Sequence, residues 1–218
     1  FWNSDETANN DYLGSIDYRF DLVDVKLHHN LFDASRAGSG YDLRNIFEQT
    51  LVKNHPESAV TFVDNHDTQR GQALESTIEE WFKPAAYALI LLREAGLPCV
   101  FYGDYYGVNG EFAQDSFQTV LDKLLDIRLN LAYGEQKDYF DDEHCIAWTR
   151  SGKDNGQPIA VILTNDQANS KRMYVGENWA GKEFKDYLGN NPSTVIIEED
   201  GWANFPVVEK SVSVWSAK

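Results

Sequence analysis

The stretch T-F-V-D-N-H-D-T-Q, residues 61–69, decides how the rest of the chain is read. Thr61, Phe62 and Val63, preceded by Ala59 and Val60, are β-branched, aromatic or small apolar residues and predict the end of a buried strand. Asp64, Asn65, His66 and Asp67 then set two carboxylates, an amide and an imidazole in consecutive positions. An α/β barrel carries its chemistry at the carboxyl ends of its parallel strands, and this cluster stands at such an end. The same residues suit a polar turn equally, one in which Asp and Asn hydrogen-bond their own backbone and cap the next segment.

Downstream, residues 80–96 predict a helix, with Pro84 in its first turn and Gly96 at the C′ position. Residues 98–103 predict a short strand, and residues 115–133 a second helix with Phe117, Val120, Leu121, Leu124, Leu125 and Leu131 on one face, closed by Gly134. Upstream, residues 1–19 predict a loop with a short helix, and the alternation F-D-L-V-D-V-K-L at 20–27 predicts a strand ending at His28, His29 and Asn30. Adjacent strand histidines face opposite ways, so one buried and one exposed imidazole is expected rather than a metal pair. A flexible loop over 34–40 and a helix over 42–53 complete this half. Strand, helix, strand, helix, strand, helix over 20–134 specifies a parallel sheet with crossover helices.

The texture changes near Gly134–Asp138. Short apolar or alternating runs at 145–149, 158–164, 171–175, 183–187, 194–197, 204–208 and 211–215 are separated by turn formers such as Asp154-Asn155-Gly156 and Gly189-Asn190-Asn191. That spacing predicts a small antiparallel sandwich. The division is therefore 1–137 and 138–218.

Composition narrows the function. Net charge is −16 and the pI about 4.6, which argues against nucleic acid and against an anionic membrane surface but suits a neutral ligand such as a sugar. No run reaches the about 20 apolar residues of a membrane helix. The opening F-W-N-S-D-E-T has neither the basic start nor the apolar centre of a signal peptide. Cys99 and Cys145 lie in apolar runs without metal-ligand spacing and read as buried free thiols, which lean toward a reducing, cytoplasmic compartment without excluding secretion.

F-V-D-N-H-D at 62–67 resembles the seventh-strand motif of the α-amylase family of glycoside hydrolases. Gly40-Tyr41-Asp42, Trp81-Phe82-Lys83-Pro84 with Ala86-Tyr87-Ala88, and Val100-Phe101-Tyr102-Gly103-Asp104 with Tyr106-Gly107 are similar to bacterial liquefying and intracellular members, as are Tyr139-Phe140-Asp141 and the ending from Gly201-Trp202 to Val214. The resemblance covers essentially the whole chain. It implies a (β/α)8 TIM barrel, of which this chain matches strands six to eight with their helices, followed by a Greek-key β-sandwich. It also implies an activity, retaining endo-hydrolysis of α-1,4-glucosidic bonds in starch-like glucans, with α-glucan or maltooligosaccharide as substrate.

The family's nucleophilic Asp and acid/base Glu lie on strands four and five, which are not in this sequence; Phe1-Trp2 resembles the pair that comes directly after the Glu. By the resemblance Asp67 is the third catalytic carboxylate and His66 a donor to the same sugar. Trp2, Gln69 and Asn65 are further sugar contacts, although packing is an equal reading for Trp2. The remaining N-terminal part of the barrel becomes the required partner, since three parallel strands cannot close a barrel and leave an exposed edge. The family's principal calcium site draws on absent segments, so Ca2+ is expected for the complete enzyme. A further calcium in some members lies near Ser39, Tyr41, Glu143, His144 and Asn165. There His144 and Asn165 replace carboxylates, and no metal held by this chain alone is expected. A related transglycosylase, a non-catalytic glucan-binding scaffold, and a metal-dependent hydrolase built on His66, Asp64 and Asp67 are the competing readings.

Overall fold

The computed structural model describes residues 2–154 and 156–217. The chain divides into two compact units, one of residues up to Ala37, Asn45–Ile90 and Ala95–Leu121, the other of Gly38–Arg44, Leu91–Glu94 and the chain from Asp122 onward.

In the first unit, α1 (Glu6–Ser15) opens on Asp5, whose carboxylate accepts from the Ala8 amide at 2.8 Å. The strand expected over 20–27 is only β1 (Leu22–Val23), and α2 (Val25–Ala37) comes at once, so His28 and His29 are helical and the expected loop at 34–37 is helix as well. Buried Asp24 is the reason. One of its oxygens accepts from the Leu27 amide at 2.9 Å and starts α2; the other accepts from the Val52 amide at 2.7 Å in the first turn of α3 (Leu51–Asn54), which Thr50 caps. With α2 started there, Val25, His28, Leu31 and Ala34 fall at helical spacing on the buried face, and this outweighs the short alternation before it. The helix expected over 42–53 shrinks to a 3-10 turn at Leu43–Asn45 and the single turn of α3.

β2 (Ala59–Phe62) lies between β1 and β3 (Leu97–Cys99) in a parallel sheet, with Ala59 opposite Leu22 and Phe62 opposite Cys99. The crossover from β2 to β3 contains α4 (Lys83–Leu91), shorter than expected at both ends. Gly96 is not its C′ residue but stands in the bend before β3, at φ +86°, where a Cβ would meet Thr61 Cγ2 and Val52 Cγ2 at 2.9 Å. The expected strand at 98–103 stops at Cys99, and α5 (Tyr102–Tyr106) begins instead. Among the described residues β3 has a hydrogen-bonded neighbour on one side only, and Cys99 is exposed where a buried thiol was expected; Cys145 is buried, and both are free. The chain passes into the second unit within α6 (Gln118–Asn130), whose Leu121, Leu124 and Ile127 are buried.

The second unit is antiparallel. The expected runs are β5 (Cys145–Arg150), β6 (Ile159–Thr164), β7 (Asn169–Tyr174), β8 (Glu183–Asp186), β9 (Thr194–Ile196), β10 (Trp202–Val207) and β11 (Val212–Ala217), preceded by β4 (Gln136–Tyr139), whose polar Q-K-D-Y gave no strand signal. One sheet runs β4-β5-β6-β11-β8-β9 and the other pairs β10 with β7. Ala147, Ile162, Met173, Phe184, Phe205 and Trp215 meet in the core of this β-sandwich. β5 and β6 are buried along their whole length, so they read as continuous apolar runs, whereas β8 alternates. The turn after β8 is organised by buried Asp186, whose carboxylate accepts from the amides of Leu188, Asn191 and Val214.

Candidate functional site

The turn at the carboxyl end of β2 is built around Asn65. Its Oδ1 accepts from the amides of Asp67 and Thr68 at 2.9 and 3.0 Å, while its own amide donates to Thr68 Oγ1 at 2.9 Å and its carbonyl accepts from the Gln69 amide at 3.1 Å. This closed Asx turn occupies the side-chain oxygen of Asn65, leaving only its NH2 for a sugar hydroxyl. It also turns the next two side chains outward: His66 and Asp67 are 81% and 49% exposed and stand 3.5 Å apart, Nε2 to Oδ2. Gln69 donates through Nε2 to the His66 carbonyl at 3.3 Å.

Asp64 does something different. It is buried, and its Oδ2 faces the ammonium of Lys83 at 2.9 Å. Its Oδ1 accepts from Thr68 Oγ1 at 3.3 Å and the Ile78 amide at 3.4 Å. Burial pushes the Asp64 carboxyl up to about 6 against the pull of Lys83. The two carboxylates of the D-N-H-D cluster are therefore split into one structural group and one presented to solvent. Asp64 cannot serve as a metal ligand beside His66 and Asp67 while committed to Lys83. Among the described residues no group of three or more His, Cys, Asp and Glu converges on a metal position.

His28 supports the turn from below. Its ring is stacked on Phe62 at 5.0 Å, its Nδ1 donates to the Val63 carbonyl at 2.7 Å, and its Nε2 lies 2.7 Å from Ser76 Oγ. A carbonyl only accepts, so Nδ1 carries the proton. Burial lowers the imidazole pKa to about 4 and keeps it neutral. Trp2 packs on Phe62 at 5.7 Å and is 38% exposed, so packing and a free ring face coexist; Phe1 lies outside the described residues. Sequence reasoning missed His28 and Lys83 as supports. The available signal was Lys83 itself, a lone charge in the otherwise apolar run W-F-K-P-A-A-Y-A-L-I-L.

A separate constellation in the second unit falls where the resemblance places a further calcium. Asn165 donates through Nδ2 to the carbonyls of Gly38 and Tyr41, each at 2.8 Å, and its buried Oδ1 has no hydrogen-bond partner among the described residues. Calcium takes about 6–8 oxygen ligands. Here two carbonyl oxygens are taken by N–H donors and an imidazole, His144, comes next to Glu143. These residues do not fit that cation.

The family described as Alpha-amylase C-terminal matches residues 159–216. The glucan 1,4-alpha-maltohexaosidase of Bacillus sp. (strain 707) is 48% identical over 221 residues, 100% of this chain and 42% of its own length. The alpha-amylase of Bacillus licheniformis is 43% identical over 99% of this chain and 43% of its own, and the cytoplasmic alpha-amylase of Escherichia coli (strain K12) 41% over 99% and 45%. The chain thus spans less than half the length of these relatives. Among solved structures, an alpha-amylase from Geobacillus thermoleovorans, complexed with acarbose, superposes with a TM-score of 0.68 at 18% identity, covering 100% of this chain and 52% of that one. That likeness speaks for the fold.

Proposed function

Because the chain belongs to the α-amylase family of glycoside hydrolases, and matches the C-terminal part of its relatives, we propose that it forms the end of a retaining α-amylase acting on internal α-1,4-glucosidic bonds of starch-like glucans. In this reading residues 1–137 are the last three strands and helices of a (β/α)8 barrel, and 138–218 the terminal sandwich. The parallel order β1-β2-β3 with intervening helices supports it.

The observation that carries the reading is the exposed His66–Asp67 pair on the Asn65 turn, at the carboxyl end of the middle parallel strand. A retaining glycosidase needs a nucleophile and a proton donor about 5–5.5 Å apart. Asp67 alone cannot fill both roles, and Asp64 is tied to Lys83. By its resemblance to the family motif, Asp67 is the third carboxylate. It accepts hydrogen bonds from the hydroxyls of the sugar being cleaved, and its fixed charge stabilises an oxocarbenium-like transition state. His66 donates to the same sugar. Gln69, Asn65 through its NH2, and the open face of Trp2 contribute binding. The nucleophile and the acid/base come from the N-terminal part of the barrel, as does the calcium of the complete enzyme; this chain holds none by itself.

Asp67→Asn in the protein carrying the complete barrel tests this. The expected result is a fall in kcat on soluble starch of about 10²–10³-fold, of the size seen when one transition-state contact is removed, with the wild-type product released as the α-anomer. Wild-type turnover by the variant would refute the role of Asp67. Glucan binding without hydrolysis by the wild type would favour a binding scaffold instead.

A further inference from the structure

Lys83 is completely buried at the start of α4, although its neighbours in that helix are apolar. A buried charge costs several kcal/mol before its pairing offsets it, and an apolar residue of like volume often serves stability as well or better. Its partners give it another use. The ammonium donates to Asp104 Oδ1 and to Gln114 Oε1, the latter at 2.9 Å, and faces Asp64 Oδ2 at 2.9 Å. Asp104 is itself held by the Tyr87 hydroxyl at 2.6 Å and by Gln114 Nε2 at 2.7 Å. One side chain of α4 thus joins the turn after β2, α5 and the bridge between Val108 and Gln114.

Asp64 Oδ1 accepts long hydrogen bonds from Thr68 Oγ1 and the Ile78 amide, while its Oδ2 faces the Lys83 ammonium at 2.9 Å. Thr68 Oγ1 in turn accepts from the Asn65 amide. The chain of contacts therefore runs from the ammonium through Asp64 and Thr68 to the turn that displays His66 and Asp67. We propose that Lys83 and Asp64 are positioning residues of the site: their buried ion pair anchors the Asn65–Thr68 turn, and so fixes where Asp67 and His66 meet the sugar. This rests on the glucan-hydrolase reading above.

The ionisable groups around the pair are Asp64, Asp104, Lys83 and Tyr87. Two carboxylates face one ammonium. Asp64 is pushed up to about 6, by burial first, and burial together with Asp104 holds Tyr87 as a neutral phenol. Ionisation of Asp64, and with it the pull of Lys83 on the turn, is present at neutral pH and lost as pH falls through about 6.

The test uses Lys83→Met, Asp64→Asn and the double variant in the protein with its complete barrel. Starch kinetics from pH 5 to 8 are combined with hydrogen exchange monitored by mass spectrometry. Misplacing a catalytic group by about 1 Å costs on the order of 10²-fold. Lys83→Met is therefore expected to lower kcat about 10- to 100-fold with KM changed less than about threefold. It should also speed exchange of the amides of residues 67–69 beyond that of β5 and β6. The wild type is expected to show an inflection in kcat near pH 6, and Asp64→Asn to remove it. The double variant should exceed Lys83→Met in kcat, because it no longer buries an uncompensated pair of carboxylates. Unchanged kcat and exchange in Lys83→Met would overturn the proposal. So would faster exchange spread evenly over the first unit, with kcat falling only by the unfolded fraction. A wild type without starch hydrolysis would instead overturn the hydrolase reading, and the exchange data would still judge the tie between Lys83 and the turn.

Discussion

Replacing His28 with Gln separates a titration from a packing effect. In the folded protein the buried imidazole has its pKa lowered to about 4, against 6.5 for the free side chain, so between those values only the unfolded chain takes up the proton. The contribution of His28 to stability is complete above pH 6.5 and is lost as pH falls toward 4. The drop of about 2.5 pH units corresponds to about 3 kcal/mol. Asp64 runs the other way: its pKa is raised from 3.8 to about 6, so the folded state binds its proton first and gains stability over the same interval. The two opposed effects partly mask each other in the wild type, which is why the comparison with a variant is needed. At pH 7, His28→Gln should cost about 1–3 kcal/mol, from the lost bond to the Val63 carbonyl and the lost stack on Phe62. By pH 4 that difference should have shrunk by about 3 kcal/mol and reached zero or changed sign. Urea unfolding monitored by tryptophan fluorescence at pH 7, 5.5 and 4 measures it. A difference constant across that range would mean that His28 is protonated in the folded state, and the account of its burial would be wrong.

Asn65→Ala removes the acceptor of two turn amides and should cost about 1–2 kcal/mol, whereas Asn65→Asp, which keeps an acceptor, should cost less; unfolding midpoints rank them. Asn165→Asp sets a carboxylate against the carbonyls of Gly38 and Tyr41, so the melting temperature should fall in chelator and recover partly with added calcium, while the parent residue gives no calcium response at this position. Phe205→Ala empties the centre of the sandwich and should destabilise by about 3–5 kcal/mol in urea unfolding. In this chain taken by itself, a thiol reagent should modify Cys99 quickly and spare Cys145, which is buried and whose thiol burial pushes up to about 12; equal rates would contradict their placement.

The sandwich strands were legible because buried strands of β-branched and aromatic residues, separated by Gly, Asn and Asp, carry their signal locally. The crossover pattern of the first half was legible for the same reason, and so was the D-N-H-D cluster. The misreadings share a cause. Whether 20–37 is strand or helix was settled by Asp24, which starts α2 and holds the first turn of α3 across a sequence separation no local window spans. β4 carries no apolar pattern and exists because it pairs with β5. Cys99 lies in an apolar run but on a strand with, among the described residues, a neighbour on one side only.

The sequence by itself determined which groups cluster at the strand end: two carboxylates, an amide and an imidazole, in an acidic chain. Tertiary structure decided which carboxylate faces solvent. Asp64 and Asp67 are the same residue type three positions apart; the motif resemblance pointed to Asp67, but residue chemistry alone does not tell them apart. The fold buries one beside an ammonium contributed from residue 83 and turns the other to solvent on an Asx turn. Burial and the charge of a distant partner set the state and reach of an ionisable group, and both are properties of the packed molecule rather than of its sequence.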